Sequence, residues 1–180
     1  MDFVSDSLVN KLILLFMLEK MEIPLTENSI IEICTNRNSW LNYMDCKEIL
    51  WQLLDTSFVY KTSGSEPENT YYSLKEAGRN CLAHFFLKIP ASLRENIVKY
   101  AKDNRMNYKR SQEYISDFIK NDEDGSFTVI LKIVEPRVTA PLLELKVKAQ
   151  NRNSAKAIAK KWRDKAPEVY ENIFELLFED

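Results

Sequence analysis

Residues 43–82 read YMDCKEILWQLLDTSFVYKTSGSEPENTYYSLKEAGRNCL, and this stretch decides the fold. Its first part predicts a helix over 43–57, because apolar side chains recur there at three- and four-residue spacing. The inward-facing members of that helix are Cys46, Ile49, Leu50, Leu53 and Leu54. A strand is predicted to start at Phe58 and another to cover 71–74, with a glycine, a proline and an asparagine between them that favour a loop. A helix over 74–87 follows.

The residues before this stretch predict two more helices. Leu8, Leu12, Leu15 and Leu18 recur at helical spacing and indicate a helix over 6–21. Thr26 is a good N-cap for a second helix over 27–36. Three helices followed by a β-hairpin are the order of a winged helix-turn-helix. The sequence therefore predicts such a domain over 1–88.

The remaining chain changes from helical to strand periodicity. A helix over 92–108 with a thin apolar stripe is expected to form a linking segment, 89–109. Alternation of apolar and polar residues then predicts strands over 111–120, 127–134 and 143–149, a three-stranded antiparallel meander. Two helices, one capped by Asn153 or Ser154 and one opened by Pro167, are expected to cover this sheet. The prediction is an α+β protein whose C-terminal domain spans 110–180.

This order of elements resembles one bacterial family, catalogued as a domain of unknown function with a winged-helix N-terminus. The resemblance covers nearly the whole chain. Its clearest points are NKLILLFMLEKMEIPLT (10–26), YYSLKEAG (71–78), DEDGSFTVILKIVE (122–135) and the region 155–162. By analogy of fold, the resemblance implies a winged-helix transcriptional regulator.

A DNA-binding winged helix places its third helix in the major groove and its wing against the backbone or minor groove. The candidate groove residues are Tyr43, Lys47 and Gln52, and the candidate phosphate contacts are Lys61 and Arg79. The charge opposes this function, because residues 1–80 carry seven basic and twelve acidic side chains, a net charge of −5. Phosphate neutralisation supplies much of the affinity for duplex DNA.

The alternative is a winged helix that binds protein instead of DNA. Trp51 lies off the leucine stripe and is the candidate anchor for such a partner, although core packing accounts for it equally well. For Trp40, core packing is the favoured interpretation. His84 lies beside two phenylalanines and is predicted to be a core or interface residue.

The sequence carries little that indicates chemistry. Cys34, Cys46 and Cys81 are too few and too widely spaced for a zinc site, and are expected to be free thiols in a reducing cytosol. The loop around Gly125 lacks the ligands of a calcium loop. No nucleophile–histidine pair, HExxH or nucleotide loop is present, so we expect no enzyme activity, metal or cofactor.

The apolar run at 12–18 is far shorter than the ~20 residues of a membrane span, so a cytoplasmic protein with no membrane partner is expected. We expect a homodimer from the amphipathic linking helix and from the apolar last helix. A basic run follows residue 155 and is either a solvated face or a contact for DNA or for another subunit; it comprises Lys156, Lys160, Lys161, Arg163 and Lys165. The sequence names neither an effector nor a protein partner.

Overall fold

The computed structural model describes residues 7–63, 70–135, 138 and 140–178. It divides into two compact units, Met1–Tyr108 (unit 1) and Lys109–Asp180 (unit 2). The described residues form a mixed α+β protein with six α-helices and two three-stranded antiparallel sheets, which confirms the predicted class. The loop predicted between the hairpin strands, at 64–69, lies outside the described residues. The division of the chain at residues 88 and 109 stays a prediction.

Unit 1 is predominantly helical. Its elements are α1 (Ser7–Met21), β1 (Leu25–Thr26), α2 (Glu27–Ile31), a π-helical segment (Glu32–Arg37), α3 (Tyr43–Asp55), β2 (Val59–Ser63), β3 (Thr70–Leu74), α4 (Glu76–Phe85), a 3₁₀ turn (Phe86–Lys88) and most of α5 (Ala91–Glu113). The strands form a small sheet in the order β1-β3-β2. The segment predicted as a helix over 27–36 is helical, but its second half is a π-helix rather than an α-helix. The Asn38 side-chain amide donates to the carbonyl of Ile33 at 2.8 Å and stabilises the end of that segment.

Helix α1 forms the centre of the unit 1 core. Every residue from 12 to 18 is buried, as an unbroken apolar run requires. Helix α3 packs on α1 and buries Cys46, Ile49, Leu50 and Leu53, which belong to the predicted inward face. Burial of side chains of this size stabilises a fold by about 1.5–3 kcal/mol each. The position of α3 is therefore set by its apolar face.

The chain leaves α3 in a tight turn. Ser57 adopts a left-handed conformation with φ of 60°, where helices commonly carry glycine. The amide of Phe58 donates to the carbonyl of Leu53 at 2.9 Å and that of Ser57 to Leu54 at 3.0 Å, which together make a Schellman motif. This turn directs the chain at once into β2.

Unit 2 is an antiparallel meander covered by one helix. Strands β4 (Tyr114–Lys120), β5 (Phe127–Ile133) and β6 (Leu143–Ala149) pair in sequence order, as predicted. Helix α6 (Arg152–Phe178) buries Ala155, Trp162 and Ala166 against them. The Trp162 indole donates to the carbonyl of Lys132 at 3.1 Å, which fixes the helix on the central strand.

Two predictions for this half are wrong. The two closing helices are a single helix, with Pro167 in its interior. Proline costs a helix interior about 3 kcal/mol, but Trp162 and Ala166 before it and Val169 after it all pack on the same sheet core, which holds one axis through the proline. Helix α5 also runs to Glu113, so β4 begins at Tyr114 and not at residue 111.

Candidate functional site

Helix α3 presents the candidate site. Its start is fixed by Asn42, which accepts from the amide of Asp45 at 2.8 Å and donates to the Asp45 carboxylate at 2.8 Å. Because the opposite side of the helix packs on α1, its outer face is exposed. The exposed residues of that face are Tyr43, Met44, Lys47, Glu48, Trp51 and Asp55. The face therefore carries one basic side chain, two acidic ones and three large apolar ones.

Lys47 is held by an acidic residue of another helix. Its Nζ lies 3.1 Å from Oε1 of Glu27 in α2, and the Glu27 carboxylate raises the pKa of Lys47. The hydroxyl of Tyr72 in β3 donates to the other oxygen of Glu27 at 3.2 Å. The Lys47 ammonium also lies 5.8 Å from the centre of the Tyr43 ring. Glu27 thus joins α2, α3 and the hairpin. Sequence reasoning missed it, since nothing local to Glu27 indicates a partner twenty residues away.

The other candidate DNA contacts are spread over three elements. The amide of Gln52 donates to Glu48 at 3.0 Å along the same helix. Lys61 is exposed on β2, and Arg79 is exposed on α4. The structure therefore brings Tyr43 and Lys47 together on α3, while Lys61 and Arg79 extend from the hairpin and the helix after it. Two acidic residues of the predicted loop between the hairpin strands, Glu66 and Glu68, lie outside the described residues.

The aromatic candidates separate clearly. Trp51 is 66% exposed, Met44 is 73% exposed and Tyr43 is 52% exposed. Trp40 instead packs against the unit 1 core and meets the Tyr100 ring edge-on, with ring centres 5.7 Å apart, which confirms its core role. Trp51 is therefore a surface residue, and tryptophan and tyrosine are enriched among residues that dominate binding interfaces.

His84 is exposed, so the core position is wrong, and the alternative of an interface position stays a prediction. Its Nδ1 lies 2.8 Å from the carbonyl oxygen of Asn80, one turn earlier in α4. The apolar neighbours that suggested burial point in different directions, because Phe86 packs against the core whereas Phe85 is exposed.

A cleft of about 720 Å³ lies beside the start of α3. Its lining includes the polar residues Asn10, Asn42 and Asp45 and the apolar residues Trp40 and Leu93. Clefts of roughly 300–1,000 Å³ are typical of small-molecule sites. Asn42, Tyr43 and Asp45 line it, so the cleft lies against the first turn of α3.

The thiols are free, as predicted. Cys34 and Cys46 are buried, and a hydrogen bond between the two thiols, together with burial, raises the pKa of Cys34. Among the described residues, no group of three or more His, Cys, Asp or Glu side chains is arranged to hold a metal ion. In the same ranges, no helix is long and apolar enough to cross a membrane.

The described elements form a mixed α+β protein of two compact units. Residues 10–177 match the family described as "Domain of unknown function (DUF4364)", and the chain belongs to that family. The family match confirms the part of the resemblance that concerns a family of unknown function. No curated protein matches the chain, and no solved structure matches it.

Proposed function

We propose that unit 1 is a winged helix-turn-helix and that the chain is a cytoplasmic, non-enzymatic transcriptional regulator that binds duplex DNA as a homodimer. The observation that supports this most is the placement of α3. Its apolar face is buried on α1, its outer face is exposed from the first turn, and the hairpin β2–β3 follows directly after Ser57. In this proposal the outer face enters the major groove and the hairpin lies along the backbone.

The ion pair between Lys47 and Glu27 competes with DNA binding but does not prevent it. The side chains of Lys47 and Glu27 are both partly exposed. Ion pairs at such positions contribute about 0–1 kcal/mol, so a phosphate can compete with Glu27 for the ammonium. Lys61 and Arg79 supply further phosphate contacts, and a dimer doubles the number of contacts. Two-fold symmetry of the protein would match the two-fold symmetry of an operator.

The experiment is a salt titration of binding to a random-sequence duplex, measured by fluorescence anisotropy. Wild-type affinity should fall steeply with salt, and Lys47→Ala should weaken binding further. Lys120→Ala, which removes an exposed cation from β4, is the matched control and should change little. Glu27→Gln should strengthen binding, because it removes the acid that competes with phosphate for Lys47. No detectable binding at low salt would refute DNA binding.

A second candidate function is protein binding through the same face of α3. Exposure of Tyr43, Met44 and Trp51 on one helix favours it. The partner would offer an apolar pocket with a basic rim, since Glu48 and Asp55 flank Trp51 on the exposed surface. Trp51→Ala separates the two functions. It should abolish binding of such a partner, whereas it should leave the salt dependence of DNA binding unchanged, because that depends on the cations.

A further inference from the structure

The second half of α6 exposes a row of aromatic rings. Tyr170, Phe174 and Phe178 follow one another at four-residue spacing, with ring centres 6.4 Å and 4.7 Å apart. Together with Leu177 these side chains are 36%, 49%, 71% and 73% exposed in the order named. The helix buries its other face, with Ala155, Trp162 and Ala166, against the sheet. The aromatic row is therefore not required to cover the unit 2 core.

The first half of α6 carries cations on the same face. Lys156, Lys160 and Arg163 are exposed and are spaced by four and three residues. Tyr170 follows Arg163 after seven residues, which is about two helical turns. Side chains at these spacings share one face of a helix. One continuous strip thus changes from basic to aromatic along the helix. Residues 152–165 hold six basic side chains and one acid, whereas 166–178 hold no basic side chain and three acids, Glu168, Glu171 and Glu175.

This charge order opposes the helix macrodipole. The N-terminal end of a helix favours acids and its C-terminal end favours bases. Helix α6 has no acid in its first turn and no base in its last turn. Stability of the isolated helix therefore gives no account of the distribution, whereas contact with a helix running in the opposite direction does.

We propose that α6 pairs with α6 of a second copy of this chain in antiparallel orientation. In that arrangement the basic half of each helix lies over the aromatic and acidic half of the other. Arg163 and Lys160 of one copy meet the rings and Glu171 of its partner, and two-fold symmetry repeats every contact. Cations over aromatic faces and opposite charges at close range are both attractive. A parallel pair would instead place the two basic halves side by side.

The area suits a dimer. At about 200 Å² for each large side chain, the exposed fractions of the four apolar residues add to roughly 450 Å² per copy. The aliphatic stems of the three cations cover further apolar surface. The total approaches the ~800 Å² per partner of a standard interface. This inference assigns a surface to the proposed homodimer and does not depend on DNA binding, because the dimer is measured without DNA.

The first test is sedimentation velocity of the full chain across micromolar concentrations. Wild type should be dimeric. Phe174→Lys should raise the dimer dissociation constant at least ~100-fold, because each dimer loses two buried rings. Leu176→Lys is the matched control: Leu176 is 82% exposed in the same turn, but it lies off the strip, so its variant should stay dimeric. A monomeric wild type, a dimeric Phe174→Lys variant, or equal dissociation of both variants would overturn the proposal. Circular dichroism checks that both variants keep wild-type helix content.

The second test addresses orientation. Arg163→Glu and Glu171→Lys should each weaken the dimer roughly three- to tenfold, since each breaks two symmetry-related contacts. The double variant should recover most of the lost affinity, because it restores opposite charges across the interface. In a parallel pair Arg163 of one copy would instead face Arg163 of the other. Arg163→Glu would then replace one pair of like charges by another and would not weaken the dimer. Unchanged affinity of the single variants, or no recovery in the double variant, would refute antiparallel pairing.

Discussion

Substitution of Gly78 by alanine tests how closely the backbone of α4 packs against Phe58 and Leu74 at the base of the hairpin. A Cβ at this position would lie 2.5 Å from the carbonyl oxygen of Phe58 and 2.8 Å from Cδ1 of Leu74. The Leu74 methyl belongs to a buried side chain, and the Phe58 oxygen is backbone that already accepts from the amide of Lys75 at 2.9 Å. Neither neighbour can move without disturbing the start of β2 or the core. The close approach therefore requires glycine.

The direction of the effect is diagnostic because two terms oppose each other. Helix propensity alone predicts that Gly→Ala stabilises α4 by about 1 kcal/mol. Overpacking costs about 1–3 kcal/mol, and contact with backbone belongs at the upper end or above it. We expect a net destabilisation of ~2 kcal/mol, which lowers the urea midpoint by about 1 M at an unchanged slope.

Urea unfolding followed by circular dichroism measures this change, and hydrogen exchange of α1 peptides assigns it to unit 1. Asn80→Ala is the matched control, because Asn80 is exposed in the same helix and alanine there adds only propensity. The control should raise the midpoint slightly. A raised midpoint in Gly78→Ala as well would show that α4 sits farther from the hairpin and would refute the steric argument.

Two further substitutions test local geometry. Ser57→Gly should stabilise unit 1 by about 0.5–1 kcal/mol in thermal unfolding, because glycine adopts the positive φ of Ser57 without steric strain; a loss of stability would contradict the left-handed turn. Asp124→Asn should lower the melting temperature at pH 7 and flatten its decline in acid. The Lys148 ammonium at 2.6 Å and the hydroxyl and amide of Ser126 lower the pKa of Asp124, so its contribution is present above the unfolded pKa of about 4 and is lost as the pH falls below it. Asp122→Asn is the control and should leave the fall of the melting temperature in acid unchanged. The same unchanged fall in Asp124→Asn would contradict a stabilising contact between Asp124 and Lys148.

Periodic burial explains why much of the fold could be predicted. The unbroken apolar run of α1, the inward leucines of α3 and the alternation in β5 each report a local pattern, and the structure confirms them. Features set by tertiary contact escaped prediction. The strand β1 has two residues and exists because Leu25 and Thr26 pair with β3. Two residues are too few for alternation to be visible.

Pro167 shows the opposite failure, in which a strong local signal is overruled. Proline predicts a helix start because it lacks an amide donor and has a fixed φ. Here Trp162 and Val169 pack on the same sheet core on either side of it, so these contacts hold the helix in one axis through the proline. The predicted site shows a comparable limit. The place of Trp51 off the leucine stripe left exposure and core packing equally open, and the structure shows it exposed. The contact between Lys47 and Glu27 depends on the packing of α2 against α3 and has no local signal.

The contact between Lys47 and Glu27 affects how steeply DNA binding should weaken with salt. Each phosphate contact contributes about −0.9 to the slope of log affinity against log salt. If Lys47, Lys61 and Arg79 each neutralise one phosphate, a dimer makes about six contacts and the slope is about −5.4. If Lys47 stays with Glu27, four contacts give a slope of about −3.6. Glu27→Gln should bring a shallow slope to the steeper value. Equal slopes with stronger binding would mean that Glu27 acts only through its charge, and that Lys47 reaches phosphate in both proteins.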